Sequence, residues 1–241
     1  MKRIRIIAGP NGSGKSTLVK QFTEGKPWLL NKQLHVDPDK LNITDTIDFG
    51  KFGIQTNISE FKDHLLKSTL FPKSNIDIED IKFGNNCLIN DLNNPYVGSL
   101  VADFIRDQLV ESDINLFSFE TVFSHESKLE FMERAKQKGW SLYLYFVSTS
   151  DITINQDRVK ERTEKGEHSV PDQKIIDRYI KSNNFLYDAS KLCRRAYVFD
   201  NSTEGSAVLI AEKDVDGTIL IKTENQLPRW VVTYLFSKLE S

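Results

Sequence analysis

Two spacings of apolar residues alternate along the chain. Ile4, Ile6 and Ile7 form a short β-branched run that reads as a buried strand, and Leu18, Val19 and Phe22 follow at helical spacing. Gly25 and Pro27 then break the chain. Residues 33–36 predict a second strand. Pro38 biases Asp37 away from helical geometry, so 37–40 reads as a strand-to-loop exit. Such exits form the ligand crevice of open α/β sheets. Further on, Val101, Phe104, Ile105 and Leu109 stripe a helix over 96–110, and a buried strand over 114–119 ends at Glu120. Leu129, Phe131, Met132 and Ala135 predict an amphipathic helix over 127–138, closed by Gly139. A fourth strand is expected over 142–147 and a charged helix over 155–165. After a polar hinge at 166–171 come another helical stretch over 172–193 and a fifth strand over 197–199.

The pattern fades between residues 42 and 94. There a helix over 59–70 is expected, with Ser59 as N-cap and Phe61, Leu65 and Leu66 on one face. The remainder is polar and rich in Asn and Asp, and reads as an insertion on the substrate side. The tail differs again. Runs over 207–213 and 218–222 flank Asp216 and Gly217, a hairpin signal, and 228–239 reads as a terminal helix. Strands alternating with helices predict an α/β fold with a doubly wound, mostly parallel sheet. No repeat or linker divides the chain, so residues 1–241 are expected to form a single domain, with 155–180 as a lid.

Composition narrows the function classes. The chain has 241 residues, 39% hydrophobic and 27% charged, with a formal net charge of −2. That balance gives no electrostatic case for a nucleic-acid or membrane partner. Two cysteines, Cys87 and Cys193, lie far apart without metal spacing, which suits a reducing, cytoplasmic location. Met1 to Arg5 runs straight into the first strand, so no signal peptide is expected, and no apolar run approaches the ~20 residues that span a bilayer.

The chemistry concentrates in Gly9, Pro10, Asn11, Gly12, Ser13, Gly14, Lys15, Ser16 and Thr17, which fit the phosphate-binding loop G-x-x-x-x-G-K-[ST] between a strand and a helix. Glycines let such a backbone approach phosphates closely, and the helix N-terminus favours the anion. Lys15 would meet the β- and γ-phosphates, and the Ser16 hydroxyl would ligate Mg²⁺. Asp37 and Asp39 suit a base or a metal site, and equally a turn. Glu120, at the end of an apolar strand, resembles a Walker B acid that would hold Mg²⁺ or bind the acceptor; it could instead cap the next helix. Arg158 and Arg162 share a helix face, with Arg178 beyond the hinge. They suit the charge of phosphoryl transfer, though Lys160, Glu161 and Glu164 could make that face a solvated one. His168 reads as a hinge or packing residue. Asp200, Asn201 and Ser202 could approach a nucleotide base or form an Asx-turn.

In this order the pieces resemble the zeta toxin family of P-loop kinases. The matching stretches are residues 8–17, Val36 to Asp39, Ser118 to Thr121, 166–171 with Arg178 and Tyr179, and Phe199 to Ser202. The resemblance implies an ATP- or GTP-dependent kinase of UDP-N-acetylglucosamine, with an antitoxin as a separate partner chain. By that resemblance Asp39 is the base, Lys15 the phosphate-loop lysine and Glu120 a substrate contact, with Arg162 and Arg178 as lid arginines. Two acceptor-side positions depart from the pattern. Asp103 stands where a substrate-binding glutamate is expected. Val122 replaces a threonine, leaving Thr121 as the nearest hydroxyl.

The sequence thus predicts a Mg²⁺- and ATP-dependent kinase of a small-molecule hydroxyl. Two rivals remain open: a kinase with a nucleoside, antibiotic or nucleic-acid-end acceptor, and a nucleotide-regulated binding module.

Overall fold

The computed structural model describes residues 1–25, 29–30, 34–166, 170–203 and 205–239. The chain divides into two compact units, Met1–Leu30 with Glu120–Ser241, and Asn31–Phe119. The first unit begins with β1 (Arg3–Ala8) and α1 (Lys15–Gly25). The second holds β2 (His35–Val36), α2 (Pro38–Asn42), β3 (Thr46–Asp48), α3 (Ile58–Lys67) and α4 (Phe71–Ser74). It continues with β4 (Lys82–Gly84), β5 (Cys87–Ile89), α5 (Val97–Glu111) and most of β6 (Leu116–Thr121). The chain returns to the first unit with α6 (Ser127–Gln137), β7 (Ser141–Ser148), α7 (Ile152–Glu164), α8 (Asp172–Asn184) and α9 (Leu186–Leu192). It ends with β8 (Arg195–Asp200), β9 (Val208–Lys213), β10 (Ile219–Ile221) and α10 (Arg229–Tyr234).

In the first unit, β1 pairs with β7 and β7 with β8, all parallel, while β9 and β10 add antiparallel at one edge. Beside β1 lies the end of β6, where the Gly9 N–H donates to the Thr121 carbonyl at 3.3 Å. Strands covered on both faces need no polar alternation, and β1 is buried from Ile4 to Ala8. One face carries Ile7, Tyr145, Val147 and Phe199 against Leu18 and Phe22 of α1. The Phe22 ring meets Tyr145 edge-on at 5.1 Å. The other face carries Phe146 against Trp230 of α10. Burial pushes the Cys193 thiol up to about 12.

The expected mostly parallel sheet, flanking helices and C-terminal hairpin are observed, with differences at the edges. The charged helix starts earlier than residue 155, because Asp151 caps it by accepting from Thr153 N at 2.8 Å. The stretch 172–193 breaks at Phe185 into α8 and α9. The terminal helix stops at Tyr234, and a 3-10 turn follows at Phe236–Lys238. Residue 33, the first of the expected second strand, and hinge residues 167–169, including His168, lie outside the described residues. Among the described residues, no helix is long and apolar enough to cross a membrane.

In the second unit, the poorly legible stretch forms a three-stranded antiparallel sheet in the order β3-β5-β4. Phe49, Phe61 and Phe104 pack into one aromatic cluster, with Phe61 and Phe104 edge-on at 5.1 Å. Asn57 is the cap of α3, where Ser59 was expected, since its side chain accepts from Ser59 N and Glu60 N. Leu66 is 67% exposed and leaves the apolar face that Phe61 and Leu65 form. The exit after β2 is the helix α2, not a loop. Pro38 sits in its first turn, where a missing N–H costs nothing.

α2 lies close on α5. A Cβ at Gly98 would sit 2.0 Å from the Pro38 carbonyl oxygen, and the Gly98 N–H donates to Asn42 Oδ1 at 3.0 Å. Gly98→Ala gains up to about 1 kcal/mol of helix propensity, but forcing backbones apart costs roughly 1–3 kcal/mol. The net cost is about 0–2 kcal/mol, and a drop in Tm of up to about 8 °C is expected. A rise in Tm, read by circular dichroism, would contradict this close packing.

Candidate functional site

The turn from β1 into α1 is crowded on three sides. Gly9, Gly12 and Gly14 take φ of +148°, +73° and +96°, which side chains rarely adopt. A Cβ at Gly9 would lie 2.0 Å from the Val147 carbonyl oxygen. One at Gly12 would lie 2.5 Å from the Asn155 carbonyl oxygen, and one at Gly14 2.0 Å from Asn201 Nδ2. Glycine is therefore demanded by the surrounding protein as well as by any ligand. Lys15 reaches back over this turn, its Nζ donating to the Gly9 and Pro10 carbonyls at 3.0 and 2.9 Å.

β6 brings Glu120 to the start of α1. The Ser16 hydroxyl donates to Glu120 Oε2 at 3.2 Å, and Glu120 is only 4% exposed. Hydroxyl and carboxylate thus share one small volume at a helix N-terminus. Among the described residues no three His, Cys, Asp or Glu side chains gather into a metal cage. A pair of protein oxygens fits Mg²⁺, which keeps waters and substrate phosphates as its other ligands. The next residue, Thr121, spends its hydroxyl on the Phe123 N–H at 3.2 Å. Phe123 is buried with φ +58°, an uncommon conformation for a bulky residue, and packs edge-on against Phe185 at 6.2 Å.

Basic groups reach the loop from α7 and α8. Arg178 Nη1 donates to Asn11 Oδ1 at 3.1 Å. Arg158 Nη1 donates to the Asn201 carbonyl at 2.9 Å. Arg162, singled out in the sequence, stands exposed in the last turn of α7. Tyr179 follows Arg178, and its hydroxyl donates to the Thr149 carbonyl at 2.6 Å. Burial pushes this phenol up to about 12, so it stays a donor at neutral pH. Asp151 starts α7 with its carboxyl held below the ordinary range, by the Thr153 backbone N–H first and its hydroxyl second.

Sequence reasoning overlooked Asn155. It is fully buried, receives the Thr149 hydroxyl on Oδ1 and donates Nδ2 to the Asn11 carbonyl. The available signal was an amide four residues before buried Val159, on the inner face of a charged helix. Asn201 is 6% exposed and its amide donates to the Ser13 carbonyl at 2.8 Å. Its neighbours do form the Asx-turn, with Ser202 N donating to Asp200 Oδ2 at 3.2 Å.

The remaining candidates belong to the second unit. Asp37 is the N-cap of α2, accepting from Asp39 N at 3.0 Å and pairing with Lys40 at 3.5 Å. Asp39 stands exposed in the first turn of the same helix. Of the two acids, one is therefore committed to holding the helix and the other presents its carboxylate to solvent. Asp103 is ion-paired with Arg106, a 3% exposed guanidinium that lies over the Phe119 ring at 4.7 Å.

No protein-family model matches the sequence, and no curated protein matches it. Solved structures do. One chain of the AvrRxo1-ORF1:AvrRxo1-ORF2 complex with sulphate ions superposes with a TM-score of 0.56 at 15% identity, over 93% of this chain and 62% of that one. A chain of the same complex with ATP gives 0.55 at 16% identity, over 92% and 61%. The chain thus spans about three fifths of the length of the AvrRxo1 chains it matches. A chain of the PezAT chromosomal toxin–antitoxin system of Streptococcus pneumoniae gives 0.50 at 12% identity, over 98% and 79%. These likenesses show the fold alone: an α/β fold with a mostly parallel sheet and flanking helices, shared with the AvrRxo1 and PezAT chains, as the alternation of strands and helices in the sequence led one to expect.

The crowding at Gly9 can be separated from its backbone strain. Gly139 also has positive φ, at +82°, but a Cβ there would meet nothing within 4 Å. Gly139→Ala should cost about 1 kcal/mol, the strain alone. Gly9→Ala should cost at least about 2 kcal/mol more, through collision with Val147. Equal Tm values for the two variants would contradict the crowding.

Proposed function

We propose that the chain is an ATP-dependent phosphotransferase that phosphorylates a hydroxyl of a small molecule, with UDP-N-acetylglucosamine as the candidate acceptor. The observation that carries the reading is the Ser16–Glu120 hydrogen bond at a glycine turn crossed by Lys15. It sets a phosphate cradle, a metal-ligating hydroxyl and a strand-end acid side by side. The ATP-bound AvrRxo1 complex and the PezAT toxin–antitoxin system, which share the fold, support the reading. The PezAT system also supports a separate antitoxin chain as a partner.

In this reading the loop N–H groups and the N-terminus of α1 hold the triphosphate. Lys15 exchanges its backbone carbonyls for the β- and γ-phosphates, and Arg178 neutralises charge on the equatorial oxygens. Ser16 and Glu120 hold Mg²⁺, which would neutralise and orient the phosphates when bound. Transfer breaks the bond between the γ-phosphorus and the β–γ bridging oxygen and forms one from phosphorus to the acceptor oxygen. Asp39 takes the acceptor's proton and ADP leaves. Asp39 suits that role better than Asp37, whose Oδ1 already accepts from two backbone N–H groups. Glu120, Thr121 and Asp103 are proposed to hold the acceptor, Arg162 to join Arg178 in the lid formed by residues 155–180, and residues 42–94 to shape the acceptor side.

Lys15→Ala should abolish ATP-dependent phosphorylation of the acceptor, measured by product mass; retained turnover would sink the phosphate-loop assignment. Asp39→Asn should leave ATP affinity within about two-fold by calorimetry but lower kcat by roughly 10²–10⁴. Unchanged kcat would exclude Asp39 as the base.

A further inference from the structure

We propose that Asn155 and Asn201 are positioning residues of the phosphate loop. Their side-chain amides hold the Asn11 and Ser13 carbonyls outward and thereby aim the Gly12 and Gly14 N–H groups at bound phosphates. The inference rests on the nucleotide-binding reading of the loop and deepens it.

The geometry follows from peptide planarity. In a trans peptide the carbonyl points opposite to the N–H of the next residue, and none of the described peptide bonds is cis. Asn155 Nδ2 donates to the Asn11 carbonyl, so the Gly12 N–H faces away from Asn155. Asn201 Nδ2 donates to the Ser13 carbonyl at 2.8 Å, so the Gly14 N–H faces away from Asn201. Two alternate peptides of the turn are thus set from outside, one from α7 and one from the loop after β8.

Each asparagine is held in turn. The Thr149 hydroxyl on Asn155 Oδ1 fixes which end of the amide faces the loop. Asn201 is pinned on both sides of its own backbone. Its N–H donates to the Ser148 carbonyl at 2.8 Å, and its carbonyl accepts from Arg158 at 2.9 Å. The glycines leave room for this approach, since a Cβ at Gly12 or Gly14 would strike Asn155 or Asn201 within 2.5 Å. Asn201, a candidate for contact with the nucleotide base, has its amide committed to the loop. A backbone N–H aimed at a phosphate makes a charge-assisted bond, which is lost if the peptide turns.

The test uses the full chain with ATP and with inorganic tripolyphosphate, by calorimetry and by ¹⁵N–¹H spectra. Asn155→Ala and Asn201→Ala should each weaken both ligands roughly 10- to 100-fold. ATP should still shift the Gly14 amide resonance in Asn155→Ala while the Gly12 response is lost, and the converse should hold in Asn201→Ala. Should an alanine variant fail to fold, Asn155→Leu and Asn201→Leu, which keep much of the side-chain volume and remove the donor, carry the same comparison. A loss for ATP but not for tripolyphosphate would make the asparagines base contacts and overturn the proposal. Unchanged affinities, or amide responses lost without this pairing, would also overturn it. Wild-type chain that binds neither ligand would overturn the phosphate-loop reading itself and the proposal with it.

Discussion

A loop that turns its N–H groups toward an anion must turn carbonyls outward, and buried outward carbonyls need donors. That constraint organises the first unit. The donors here are Lys15 for Gly9 and Pro10, Asn155 for Asn11, and Asn201 for Ser13. Each comes from a different place in the chain, so the parallel sheet must deliver the ends of β7 and β8 to one point before the loop can take its shape. The three glycines complete the arrangement by letting Val147, Asn155 and Asn201 approach within distances that no side chain would allow. Burial of β1 and β7 on both faces gives the rigidity that holds this convergence.

The second unit solves a different problem. Its short strands bury little on their own, and the cluster of Phe49, Phe61 and Phe104 supplies what they lack. α2 is held tightly enough on α5 that only glycine fits at residue 98. Asp37, as its cap, is consumed in making the helix, and Asp39 is left exposed by the same geometry. A pair that looks symmetrical in sequence thus divides into a structural and an available acid.

The glycine turn was legible from its motif, and the strands β1 and β7 and the helix α5 from their runs of apolar positions. Ser16 and Glu120 were each singled out because both stand at ends of elements the pattern locates; their hydrogen bond comes from the structure. The region from 42 to 94 was not legible, because strands of three residues show no period and Asn75, Asn85, Asn86 and Asn93 adopt positive φ. The cap of α3 was misplaced by two residues because Asn57 and Ser59 are both good caps. Asn155 escaped notice since an amide in a charged helix looks solvated until its neighbours are known. Arg158 and Arg162 share a face by spacing, and helix periodicity alone cannot tell that Arg158 bonds the Asn201 carbonyl.

The central claim is group transfer, and product analysis tests it most directly. The full chain would be incubated with ATP, Mg²⁺ and UDP-N-acetylglucosamine, and the mixture followed by mass spectrometry. The account predicts ADP and a singly phosphorylated sugar nucleotide formed in equal amounts. ATP that is bound but never passed to the sugar nucleotide or to any other hydroxyl acceptor would contradict it.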